Sequence, residues 1–185
     1  MRLPEAIALS QRLLDGRVPR RWEHSLGVLR QAQAIAPVLG DDAELLAVSA
    51  ILHDVGYAPE AVNTGQHMLD GARYLADVIG VDPLISRIVA YHSSSRWESE
   101  ELGLSEDLAR FEPPPTILED AITYCDLSTT PDGGEVSPTE RLKEVLARYG
   151  PDHVVYRAVS VARPFMLASV DRVTDLQRKV AVEAP

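Results

Sequence analysis

His24, the adjacent pair His53-Asp54, His92 and Asp126 are the residues of this chain best suited to chemistry, with His67 as a sixth. The set holds four of the five histidines. Imidazole nitrogens and carboxylate oxygens on separate helices can hold one or two divalent metals, and a metal in a helical pocket points to hydrolytic or redox chemistry. Cys125 is the lone cysteine, so no thiolate cluster for structural zinc exists. The mixed nitrogen and oxygen donors suit Fe, Mn, Co, Ni or Zn. Magnesium alone would prefer more oxygen.

One histidine on an apolar helix face is usually a hydrogen-bonded core residue, so the argument lies in the set. His24 continues the stripe Val28, Ala32 and Ile35, spaced four, four and three. His92 ends the stripe Leu84, Ile85, Ile88, Val89. His53 and Asp54 close a helix whose neighbouring turns are small or apolar: Leu46, Ser49, Ala50, Ile51. Asp126 follows Ile122 by one turn. All of these should face inward. A buried lone carboxylate is costly, so an inward Asp54 and Asp126 require a cation or strong donors.

The elements that must position them read as helices throughout, with no strand pattern and no internal repeat. Pro4 to Leu14 is an opening helix stopped near Gly16. Pro19 starts a second, which runs to about Leu39 and ends at Gly40. Asp41 and Asp42 offer an N-cap and first-turn carboxylates for a helix reaching His53-Asp54, with Gly56 as its stop. Tyr57 to Gln66, with Pro59, Asn63 and Gly65, is a loop. Helices follow at 67–79 and 83–92. Residues 93–114 are polar, then proline-rich, with one or two helical turns, and could close over the site as a lid. A helix spans 116–127, and Thr129 to Pro138 is a turn-rich loop. The last helices are 138–149 and 152–180, separated by Gly150-Pro151, with Pro164 starting or kinking the last. The tail Val180 to Pro185 should fray.

The 185 residues suit one domain with a sizeable core, and 45% hydrophobic content is ordinary for a globular chain. The formal net charge of −10 makes polymeric nucleic acid a poor partner. A small phosphorylated ligand stays compatible with it, because a metal supplies local positive charge. There is no signal-peptide core and no apolar run of membrane-spanning length, so no membrane partner is expected and the location expected is cytoplasmic. The acidic, aromatic-poor composition marks no interface and leaves the oligomeric state open.

The pattern resembles the HD superfamily, helical metal-dependent phosphohydrolases named for an adjacent His-Asp. The resemblance runs from Arg21-Trp22-Glu23-His24 through Leu52-His53-Asp54-Val55-Gly56 to Tyr124-Cys125-Asp126, about 18–130 of the chain. It implies an all-α fold: one HD-type domain over 1–185, a bundle of about seven to nine helices, with helices 138–180 packed on the core. It implies that His24, His53, Asp54 and Asp126 are metal ligands. Two-metal members add histidines between the pair and the last Asp, where His67 and His92 stand, with the Asp of the pair bridging the ions. This is similar to bacterial HD hydrolases that split diadenosine tetraphosphate.

Many family members carry a lysine shortly after the pair, where it contacts phosphate. Tyr57 stands in that region here. Arg20, Arg21, Arg87 and Arg96 are candidate substitutes, Arg21 first because it lies one turn before His24; Arg21 and Arg96 are the expected substrate contacts. The implied function is hydrolysis of a small phosphate ester or nucleotide by metal-activated water, with Asp54 orienting the water and Arg21 steadying phosphoryl charge. The alternatives are a diiron HD-type oxygenase and a metal-binding regulatory module without turnover. His153 is expected to be a surface or capping residue, Cys125 a small buried hydrophobe, and Trp97 a packing residue.

Overall fold

The structure, a computed structural model, describes residues 1–183. Those residues form helices joined by turns, and the only β feature among them is an isolated bridge between Thr129 and Glu135. Nine helices exceed one turn: α1 (Leu3–Leu14), α2 (Pro19–Ala34), α4 (Ala43–Leu52), α5 (His67–Arg73), α6 (Pro83–Tyr91), α7 (Ser95–Leu102), α9 (Thr116–Leu127), α10 (Pro138–Arg148) and α11 (Val154–Glu183). Two four-residue helices, α3 (Ala36–Leu39) and α8 (Ser105–Leu108), the 3-10 turns Gly40–Asp42 and Val55–Tyr57, and a π-helical stretch, Tyr74–Ile79, that continues α5 complete the set. Among the described residues no helix is long and apolar enough to cross a membrane.

The central element is α4. Every residue from Leu46 to Leu52 is buried. A helix apolar on all sides must be surrounded, and α1, α2, α6 and α9 surround this one. Its C-terminal end therefore delivers His53 and Asp54 into the middle of the molecule. One core cluster joins Leu13, Leu52, Leu75 and Val89; a second joins Val28, Leu46, Ile88, Ile122 and Val173. A third, Leu127, Leu142, Val159 and Met166, seats the C-terminal hairpin α10–α11 against the end of α9. Arg172 of α11 fastens this contact by donating twice, at 2.6 Å, to the buried Asp120 carboxylate of α9.

Several local expectations give way. The second helix stops at Ala34, not near Leu39, because Pro37 cannot donate to the preceding turn; the backbone bends at Ile35 and restarts as α3. Asp42 precedes α4 but its carboxylate makes no capping bond, since its own backbone is already helical. Residues 93–114 hold α7 and α8, a larger helical share than one or two turns, and do not form a loose lid. Ser95 and Ser99 of α7 are fully buried, and Gln66 donates to Ser95 O while accepting from Ser99 Oγ. Of the two expectations for Pro164, the interior position holds: it lies within α11, not at its start. It is exposed, so the carbonyl it leaves without a partner can face water. The helix stays regular through 180–183, where fraying was expected; Ala184 and Pro185 lie outside the described residues.

Candidate metal centre

Four packing contacts bring the ligand-type side chains together. His53 and Asp54 leave the end of α4, and the chain turns at once through the short helical turn Val55–Tyr57. Gly56 lies against the first turn of α5: a Cβ there would come within 1.9 Å of His67 O and 2.6 Å of Gly71 N. That close approach sets His67 beside Asp54, with Nε2 3.4 Å from Oδ1. The loop before α5 is pinned by the buried Asp70, which accepts from the backbone N–H groups of Asn63, Thr64 and Gly65 and from the Thr64 hydroxyl. On the other side, Gly27 of α2 admits the 129–133 loop, where a Cβ would meet Thr129 Cγ2 at 2.5 Å and Gly133 O at 2.6 Å. The loop then presents Thr130 O to His24.

Three histidines are oriented in the same way. His24 Nδ1 donates to Thr130 O at 2.9 Å, His53 Nδ1 to Ala50 O at 2.7 Å and His92 Nδ1 to Val89 O at 2.7 Å. A carbonyl can only accept, so each Nδ1 carries the hydrogen and each neutral ring turns its Nε2 lone pair inward. His53 Nε2 is buried without a hydrogen-bond partner. His24 Nε2 faces Asp126 Oδ1 at 3.0 Å. Two lone pairs so placed repel unless a proton or a metal lies between them. His24, His53 and Asp126 bring ligand atoms within 4.8 Å of one another, and so do His53, Asp54 and His92. The two groups share His53. This donor set fits one or two divalent cations, by the orphaned His53 nitrogen and by the two carboxylates that face it.

Charge follows the same logic. Burial alone would raise the Asp54 carboxyl, yet His53, Arg21 and His67 together hold it far below its usual range. Asp126 is likewise held low against burial by the His24 hydrogen bond and charge. Burial pushes His53 down to about 4, leaving it neutral at pH 7, and lowers His67 well below the ordinary value. His24 goes the other way. Burial disfavours its charge, but Asp126 outweighs that and raises it above 6.5. Metal must therefore displace a proton from His24. Ion affinity should rise with pH, by up to about tenfold per unit for one proton, and flatten once pH exceeds the raised His24 value. Calorimetry in buffers of different ionisation heat should count about one proton released per first ion; no release would show that the His24–Asp126 gap is not where the ion enters.

Arg21 donates to Asp54 Oδ2 at 3.1 Å and lies 3.9 Å over the Tyr57 ring, which stacks on His67 at 4.2 Å. Tyr57 thus carries Arg21 and His67 on an aromatic platform. The remaining arginine candidates do not reach the centre. Arg96 was expected to contact substrate, but its guanidinium is bound by Glu119 and lies 4.4 Å over Tyr91. Arg20 pairs with Asp132, and Arg87 donates to Glu112 O and Pro113 O. Trp97 packs on Phe165, Cys125 is fully buried, and His153 Nδ1 caps α11 by accepting from Val155 N. Ser93, in the left-handed region at φ 55°, bends the chain after His92 and donates its hydroxyl to Asp126 Oδ2.

A cavity of about 90 Å³ opens onto Arg21, Asp54, His67, His92 and Asp126. Its far wall comes from α10 and α11 and includes Arg141, which helical periodicity did not single out. The one signal for it was an arginine on the apolar side of an amphipathic helix, beside Leu142.

Residues 21–127 match the HD domain family. A segment of 60 residues is 42% identical to an uncharacterized protein of Methanocaldococcus jannaschii, covering 32% of this chain and 12% of that protein. A segment of 79 residues is 33% identical to Ribonuclease Y of Mycoplasma mycoides, covering 43% of this chain and 18% of that protein. The chain spans less than a fifth of the length of either relative. No solved structure matches.

Proposed function

The chain belongs to the HD domain family, a class of metal-dependent phosphohydrolases, and from that membership we propose that it hydrolyses a small phosphate ester or nucleotide, using His24, His53, Asp54, His67, His92 and Asp126 to hold one or two divalent transition metals. The observation that carries this reading is the convergence of three carbonyl-locked Nε2 lone pairs on two ionised carboxylates. When bound, such a cation supplies Lewis acidity and hydroxide at neutral pH. The chain's own groups do the rest. Asp54, kept ionised by Arg21 and His67, can accept a hydrogen from the attacking water and orient it. Arg21, fixed by Asp54 and Tyr57, faces the cavity with donors left for a phosphoryl oxygen.

Ribonuclease Y is similar over part of its length, and the ligand pattern is similar to that of bacterial diadenosine tetraphosphate hydrolases. Phosphodiester and phosphoanhydride compounds therefore belong in the test beside monoesters. The nitrogen-rich donor set supports one second reading, an iron-dependent oxygenase. Elemental analysis of purified protein should find about one or two transition metals per chain. A metal-supplemented screen over nucleotides, dinucleoside polyphosphates and phosphomonoesters should then release phosphate. Absence of metal in both untreated and reconstituted protein would end the reading. Iron with substrate-dependent oxygen uptake and no phosphate release would replace it by the oxygenase.

A further inference from the structure

The hairpin α10–α11 closes the cavity opposite the histidines, and none of it lies within the matched segment 21–127. Arg141 of α10 is 6% exposed and lines this cavity together with Asp126. One guanidinium nitrogen, Nη1, is held by Glu144, which also binds Arg148, so the side chain is braced from behind. Its Nε is buried and has no hydrogen-bond partner. Only Nη1 of the guanidinium is engaged, by Glu144, so Nη2 keeps its donors for a ligand oxygen. A phosphate oxygen meets both the charge and the fork geometry of a guanidinium.

Beyond Arg141 the wall turns apolar: Leu142, Val145, Val155, Val159 and Met166. Glu98, also on the wall, is a buried carboxyl bonded by Ser94 and adds no donor for an anion. Arg21 and Arg141 stand at the end of the cavity that holds Asp126, and Arg148, also on the wall, is paired with Glu144. The enclosed volume of about 90 Å³ is small beside the roughly 300–1,000 Å³ of pockets that bury a drug-sized ligand, so it suits a compact group.

We propose that Arg141 and the apolar face of the hairpin form a substrate subsite for a phosphate monoester bearing a compact, uncharged, apolar group. Turnover of such a compound rests on the phosphohydrolase reading; its binding does not. Arg141 would hold the phosphate, in place of the lysine that many relatives carry after the His-Asp pair. Leu142, Val145 and Val159 would desolvate the organic group. A chain of several phosphates would instead bring further anions against the buried Glu98 carboxyl and the valines.

The test is calorimetric binding of inorganic phosphate and of phenylphosphonate, which cannot be hydrolysed, to manganese-loaded protein. Phenylphosphonate should bind at least tenfold more tightly than phosphate. Arg141→Gln should weaken both about tenfold or more, and Arg141→Lys should recover part of the loss. Metal content and thermal midpoint should stay unchanged in both. Val145→Asn should weaken phenylphosphonate alone, which keeps the proposal exposed to refutation even if Arg141→Gln fails to fold. Equal affinities in wild type and Arg141→Gln would overturn it, as would loss of manganese in that variant or a higher kcat/KM for diadenosine tetraphosphate than for phenyl phosphate. The expected binding pattern with no hydrolysis of phenyl phosphate would uphold the subsite and defeat the phosphohydrolase reading.

Discussion

His53→Ala is expected to strip the protein of its ion and lower kcat/KM by on the order of a thousandfold. The reason is topological. His53 is the one residue common to both groups of converging ligand atoms, and its Nε2 has no other partner. Removing it takes a vertex from each group at once. Asp54→Ala should have an effect of similar size by a different route. It deletes the anion paired with Arg21 in a buried setting, so the guanidinium is left uncompensated beside the ligand atoms and repels a cation. Elemental analysis beside steady-state kinetics reads both. A His53→Ala protein that keeps its full metal content would show that the cluster is only a buried polar network.

Gly56→Ala should destabilise the fold by about 3 kcal/mol or more, or roughly 6–12 °C in thermal midpoint for a chain of this size. The clash is with backbone, not with a movable side chain: the new methyl would be 1.9 Å from His67 O and 2.6 Å from Gly71 N. Helix α5 would have to retreat, and His67 would leave Asp54. Metal affinity should fall together with stability. A contrasting glycine is Gly16, where a Cβ meets nothing within 4 Å and the backbone conformation, φ 78°, supplies the only strain. Denaturant midpoints of the two alanine variants, measured without metal, would separate them. A Gly56→Ala protein as stable as wild type would mean that α5 can shift freely, and that His67 is not held by packing.

The histidines were legible because helical periodicity reports direction. The stripe through Val28, Ala32 and Ile35 fixes which way His24 points, and the all-apolar run of α4 tells that His53 and Asp54 emerge in the interior. What periodicity cannot report is which partner a side chain finds once several helices meet. The Nδ1 donations to Ala50 and Val89 join residues three apart and were available in principle; that to Thr130 depends on a loop 106 residues away. Arg96 was a candidate substitute for the missing lysine, but Glu119, 23 residues on, holds its guanidinium. The helical content of 93–114 was underestimated for a similar reason. The run is polar, yet Ser95, Glu98 and Ser99 are buried, with α7 packed against α11 and bonded to Gln66. Pro37 was a local signal, and it breaks the second helix by a rule that needed no tertiary knowledge.

Because the ion-binding groups end at Asp126 while the opposite wall begins at Pro138, two stretches of gene encode two separable traits. A change in the later stretch can retune which compound is admitted without disturbing the reactive apparatus, and a graft of α10–α11 onto a kindred scaffold is a natural unit of exchange. A donor hairpin would have to match a broad junction, since α11 packs on α9, α7 and α3 through Arg172 on Asp120, Arg157 on Glu101, Phe165 on Trp97, and Val173 in the core beside Ile122.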